Sequence, residues 1–166
     1  MKIKLSVLLM SFLIQSPQIF AISEGDLLPQ LEIKAKDLKS NLDWKGKVAV
    51  INFWATWCEA CKVELKEMNQ EFKSLHDRAD AVVGYVSLDK EPEKAKQYLE
   101  EAFGKDSALS AKLAHDASFT AADRLGVDSF PMTLVIDKSG KVVKIQRGFK
   151  EGEGSTAAIR KAAESL

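Results

Sequence analysis

Two cysteines stand three residues apart in Trp57-Cys58-Glu59-Ala60-Cys61, and the chain has no others. A thiolate attacks disulfides, and a second thiol one helical turn further on can close onto the first with little backbone movement. The pair lies where an apolar, β-branched run, Val48 to Trp54, hands over to an amphipathic stretch. That junction puts the first sulfur at a helix N-terminus, where unsatisfied N–H groups and the helix dipole favour the thiolate. Cys58 is therefore expected to attack and Cys61 to resolve. Burial against the helix should keep Cys61 protonated until Cys58 is engaged.

Other chemistries use the same residue type. A closed zinc site wants four ligands, and only His76 and His115 remain, distant and unpatterned, so no metal and no cofactor is expected. A passive structural disulfide would close so small a loop that little chain entropy is removed. A thiol peroxidase also needs an exposed thiolate, together with stabilisation of the peroxide oxygens that no residue pattern here identifies. It stands as the alternative enzyme, and a redox-gated binding module, in which the cysteines only switch affinity, stands as the non-enzymatic reading.

The elements that must position the pair follow from hydrophobic period. Val48 to Trp54 reads as a strand covered on both faces and Leu31 to Ala35 as a half-exposed strand, with a turn between them at Leu42 to Lys47. Val63, Leu65, Met68, Phe72 and Leu75 recur at helical spacing, predicting a helix from Cys58 to about Leu75. A buried strand at Ala81 to Leu88 and a helix from Pro92 to Gly104 follow. Lys105 to Asp116 reads as a loop with a short strand at Leu113-Ala114, and Ser118 to Leu125 as a helix ended by Gly126. Met132 to Ile136 and Val142 to Gln146 form a hairpin, and Ser155 to Leu166 a closing helix. Strands alternating with helices, then a terminal hairpin, argue an α/β fold: a mixed central β-sheet flanked by helices on both faces. The charge runs Lys62 to Glu71 and Lys90 to Glu101 are expected as solvated helix faces.

The chain has 166 residues, with Lys plus Arg and Asp plus Glu at 24 each, which leaves no basic excess to hold nucleic acid. Lys2 and Lys4 precede an apolar run from Leu5 to Ile14, then Pro17 and Ile19-Phe20-Ala21, the layout of a secretory signal. Residues 1–21 are expected to be a signal peptide cut near Ala21, or else an uncleaved anchor, and residues 22–166 one folded domain outside the cytoplasm.

Asn52-Phe53-Trp54-Ala55-Thr56-Trp57-Cys58-Glu59-Ala60-Cys61-Lys62-Val63-Glu64 resembles the active-site signature of the TlpA/ResA-type branch of the thioredoxin superfamily, bacterial extracytoplasmic thiol-disulfide oxidoreductases. The likeness extends to Gly46-Lys47, to Asp116 and to Gly126 through Asp137, which resembles the family's Pro-containing strand, and so covers about Asp26 to Leu166. The resemblance implies a thioredoxin fold with an N-terminal strand extension. It also implies that Cys58 is the nucleophile and Cys61 the resolving thiol, that Pro131 is a cis proline facing the disulfide, and that the backbone at Phe130 is open to an extended substrate segment. An edge-strand trans proline is the other reading of Pro131. Glu64 corresponds to an acidic residue that tunes the thiols and relays protons. Helical spacing alone places it near Cys61, and a helix-surface glutamate with no catalytic role is the other reading.

The departures are informative too. Thioredoxins proper carry an aspartate where Asn52 stands, so proton transfer here falls more heavily on Glu64. Glu59-Ala60 replaces the family's frequent Glu-Pro, and Glu59 beside Cys58 opposes thiolate formation. Phe130 and Met132 flank Pro131 with larger apolar groups than usual, which would narrow the groove. Trp57 is expected at the surface as a contact platform and Phe53 in the core. The implied activity is reduction of client protein disulfides, for example in cytochrome c maturation, by a monomer re-reduced by a membrane electron-donor protein.

Overall fold

The computed structural model describes residues 21–28 and 44–166. Its centre is β1 (Val48–Trp54), seven residues buried throughout. Val48, Val50 and Trp54 face one core, whereas Ala49, Ile51 and Phe53 face the other, so the continuous apolar run is the period-two pattern of a strand covered twice. β2 (Ala81–Ser87) pairs parallel to β1, and β3 (Leu113–His115) parallel to β2. β4 (Met132–Ile136) and β5 (Val142–Arg147) add antiparallel on the other side, giving the order β3-β2-β1-β4-β5. This is the mixed sheet expected.

Helices cover both faces. α1 (Glu59–Glu71) and α2 (Lys73–His76) precede β2, α3 (Pro92–Phe103) and α4 (Ala108–Ala111) precede β3, and α6 (Ser155–Glu164) ends the chain. Met68 of α1, Leu75 of α2, Leu99 of α3, Leu109 of α4 and Ile159 of α6 share the core that holds the two cysteines. α5 (Thr120–Leu125) packs Ala121, Ala122 and Leu125 on the opposite face, beside Ile22. Ile22 is held there by its N–H to the Leu125 carbonyl, and its own carbonyl accepts from Arg147.

Several boundaries differ from expectation. The helix predicted to reach Leu75 breaks at Phe72, which leaves helical geometry at φ −97°, ψ 12°. Phe72 and Leu75 are both fully buried, so their apolar spacing reflects burial of two successive helices rather than one unbroken ladder. Lys105 to Asp116, read as loop and strand, contains α4, whose Ser107 Oγ accepts from the Ser110 N–H. α5 starts at Thr120 because Phe119 takes a left-handed φ of 59°, and the Asp116 carboxylate accepts from the Ala122 N–H. The strand expected at Leu31 to Ala35 lies outside the described residues. Nearer the N-terminus, Leu27 bridges Lys141 antiparallel at the start of the β5 region. The turn ending at Lys47 has Gly46 at φ +72° and the Lys47 N–H on the Trp44 carbonyl.

Candidate active site

β1 ends at Trp54, and the chain turns through Ala55, Thr56 and Trp57 into α1. The turn is held at both sides: the Cys58 N–H donates to the Ala55 carbonyl, and Asp89, just past β2, accepts from the Thr56 N–H at 3.0 Å and the Thr56 hydroxyl at 2.6 Å. Ser87 donates to the same buried carboxylate at 2.8 Å. Cys58 is the N-cap of α1, and its sulfur accepts from the Cys61 N–H at 3.2 Å. The two cysteines are joined as a disulfide with their Cα atoms 5.3 Å apart. Cys58 retains 9 % exposure and Cys61 none, so of the pair only Cys58 has any surface open to solvent. The helix N-terminus stabilises negative charge on the Cys58 sulfur once the bond is reduced.

One turn beyond Cys61, Glu64 points into the protein rather than out of it and is 1 % exposed. Its Oε2 accepts from Asn52 Nδ2 at 2.7 Å, and its Oε1 from Gln146 Nε2 at 3.4 Å. The other Asn52 amide hydrogen goes to Thr133 Oγ1 at 2.9 Å. Register explains how these meet: Tyr85, Asn52, Thr133 and Gln146 are successive partners on β2, β1, β4 and β5, forming a polar row across the sheet beneath α1. Burial pushes the Glu64 carboxyl up to about 7, with Glu67 adding to the rise, while the hydrogen bonds from Asn52 and Thr133 oppose it. Burial likewise pushes the Tyr85 phenol far above its ordinary value, and the Glu64 charge adds to this. Tyr85 is hydrogen-bonded at its hydroxyl to His76 Nε2 at 3.2 Å. The row thus supplies a carboxylate able to take or give a proton near neutrality, one helical turn from the buried sulfur.

On the outer side, the Phe130–Pro131 bond is cis. Trp57 is 59 % exposed and meets Phe130 edge-on, with ring centroids 5.6 Å apart. Pro131 is buried, and its carbonyl accepts from the Gly148 N–H at 2.7 Å. Among the described residues, no group of three or more His, Cys, Asp or Glu is placed to hold a metal.

Comparison with known proteins agrees with that geometry. The model of the AhpC/TSA family matches residues 25–145. The thiol-disulfide oxidoreductase ResA of Geobacillus thermodenitrificans is 33% identical over 130 residues, spanning 77% of this chain and 71% of that protein. This chain belongs to the AhpC/TSA family, as a ResA-type thiol-disulfide oxidoreductase.

A second relative, the thioredoxin-like protein YneN of Bacillus subtilis, is 32% identical over 130 residues, covering 76% of this chain and 73% of its own. Among solved structures, the exposed lipoprotein thioredoxin of Streptococcus pneumoniae aligns with a TM-score of 0.58 and 28% identity over 75% of this chain and 88% of that one. For a ResA-type oxidoreductase the clients are disulfide-containing proteins.

Of the residues singled out from sequence, Cys58 is joined to Cys61, Glu64 is buried one turn beyond them, and Trp57, next to Cys58, lies edge-on against Phe130, which precedes the cis Pro131. Glu64 is not the surface glutamate its charged neighbours allowed. Glu59, whose charge would oppose the ResA-type thiolate, carries an ion pair to Lys62 at 2.7 Å on the solvent side. Sequence reasoning missed Asp89, Thr133 and Gln146. Thr133 did leave a trace, a polar residue inside the buried run Met132 to Ile136, whereas Gln146 at the end of β5 left none.

Proposed function

We propose that this oxidoreductase works as a protein-disulfide reductase outside the cytoplasm, with Cys58 as nucleophile, Cys61 as resolving thiol and Glu64 as proton acceptor. The observation that carries this is the asymmetry of the pair: an accessible Cys58 at a helix N-cap against a fully buried Cys61 one turn from a buried carboxylate. In the reduced protein the Cys58 thiolate attacks one sulfur of a client disulfide, forming a mixed disulfide and releasing one client thiolate. Cys61 then gives its proton to Glu64, and its thiolate attacks Cys58 Sγ. The mixed disulfide breaks, the second client thiolate leaves, and Cys58–Cys61 closes as the disulfide seen here, two electrons having passed to the client. Trp57 and Phe130 form the apolar wall of the docking site, and the backbone at Phe130 and Pro131 pairs with an extended client segment.

The direction follows from compartment and charge. Lys2, Lys4 and the Leu5–Ile14 run mark residues 1–21 as an export signal or anchor ahead of the 22–166 domain, and an oxidising compartment needs a dedicated dithiol to reduce selected bonds. Among the described residues no helix is long and apolar enough to cross a membrane. Clients such as the haem-binding cysteines of cytochrome c, a membrane electron-donor protein and a monomeric state complete the reading. Dithiol exchange is favoured over a thiol peroxidase by the likeness to ResA-type thiol-disulfide oxidoreductases, and over a binding module by the buried proton acceptor, which affinity switching does not require. Equilibrating the 22–166 domain in defined thiol–disulfide buffers tests the direction. A potential near or below about −250 mV is expected, and a value near about −120 mV would recast the protein as an oxidase.

A further inference from the structure

Gln146 stands between two parts of the site that the chemistry uses separately. Its Nε2 lies 3.4 Å from Glu64 Oε1 and 3.4 Å from the Gly148 carbonyl oxygen. Gly148 in turn donates its N–H to the Pro131 carbonyl at 2.7 Å. A continuous chain of hydrogen bonds therefore runs from the docking proline, through Gly148 and the Gln146 amide, to the buried carboxylate. The two Gln146 contacts are equal and long for N–H···O bonds, and an amide nitrogen has one hydrogen for each. Neither acceptor holds the amide firmly. A displacement of a few tenths of an ångström towards one weakens the bond to the other.

We infer that Gln146 is a positioning residue that couples occupation of the Pro131 docking edge to the proton on Glu64. This rests on the reading of Cys58 as the attacking sulfur and Glu64 as the proton acceptor. A client strand paired along Phe130 and Pro131 loads the segment to which Gly148 is tied. Drawing the Gly148 carbonyl onto the Gln146 amide removes a donor from the Glu64 carboxylate. Losing a donor to the charged form raises its proton affinity. Glu64 thus becomes a better acceptor for the Cys61 proton when a client is in place, and the resolving thiol is released at that moment rather than before it. Among the described residues, the ionisable groups acting on Glu64 are Glu67 on its own helix and Tyr85 on β2, with Cys61 one turn away in the reduced state; the facing groups of β1, β4 and β5, namely Asn52, Thr133 and Gln146, are neutral.

The test uses the Cys61→Ser protein with Cys58 capped in two ways: by a methyl disulfide, and by a disulfide to the uncharged peptide acetyl-Gly-Cys-Gly-amide. The Glu64 titration is followed by carboxyl carbon NMR. With Gln146 present, the peptide cap raises the Glu64 midpoint by about half a pH unit or more over the methyl cap. In Gln146→Leu, and in Gln146→Met as a second variant that keeps the side-chain length, the two caps give the same midpoint. No rise in the parent, a fall, or an equal rise in the Gln146 variants overturns the coupling. Failure of the underlying reading shows earlier and differently, as a cap that does not form on Cys58 by mass spectrometry, and it removes the coupling as well.

Discussion

Replacing Glu64 by Gln gives the sharpest quantitative test of the buried carboxylate. Its burial moves the carboxyl from 4.5 to about 7, which at about 1.4 kcal/mol per pH unit corresponds to about 3 kcal/mol. Below pH 4.5 the group is protonated in both folded and unfolded chains and costs no stability. Between pH 4.5 and 7 the folded state keeps a proton that the unfolded state releases, so stability falls as pH rises. Above 7 both states are ionised and the loss is complete. Glu64→Gln has the shape of the protonated side chain and no charge to titrate. Its contacts to Asn52 and Gln146 change by an amount that does not depend on pH, so the comparison across pH isolates the carboxylate. Urea unfolding of the oxidised protein and of Glu64→Gln between pH 4 and 9 should show the variant gaining about 3 kcal/mol on the parent from acid to alkaline pH. A stability difference flat to within about 1 kcal/mol over that range refutes the reasoning.

Two further outcomes follow from the geometry. Cys61→Ser should accumulate a mixed disulfide between Cys58 and a client or model disulfide, detected by mass spectrometry, while Cys58→Ser, whose remaining sulfur is fully buried, should accumulate none. Asp89→Asn puts an amide where the Thr56 N–H, the Thr56 hydroxyl and the Ser87 hydroxyl all donate. It should lower stability by about 1–3 kcal/mol in thermal or urea unfolding and slow exchange at Cys58 by loosening the turn that presents it.

Much of this site was legible in the order of residues, and what was not has a physical reason. β1 and the start of α1 were plain because a strand covered on both faces is apolar at every step, and because the dithiol falls where that run stops. Pro92 at the head of α3 and Gly126 after α5 punctuate the chain by their own backbone chemistry. Phe72 misled because side-chain burial keeps its period through a break in the backbone. α4 was hidden because four residues are too few to display a period, leaving Ser107 as its only mark. The contacts around Glu64 lay beyond reading altogether. Asn52 and Thr133 are 81 residues apart in the chain, and only the pairing of β1 with β4 makes them neighbours. Asn52 from sequence is merely a base that is missing. In the folded sheet it is a donor to the buried Glu64 carboxylate.

The polar row under α1 also makes the surroundings of Glu64 contingent on complete assembly. Each of its members comes from a different strand, so a chain with β1, β2 and α1 already docked possesses both thiols and lacks the Thr133 and Gln146 groups that the terminal hairpin delivers. Because side chains alternate across a strand, a one-residue slip of β4 or β5 would turn those groups to the opposite face. A nascent or misregistered molecule therefore carries both thiols and Glu64 without the Thr133 hydroxyl and the Gln146 amide that lie around that carboxylate in the finished sheet. The surroundings of the buried acid one turn beyond the disulfide are thus completed by the last strands of the sheet to be made.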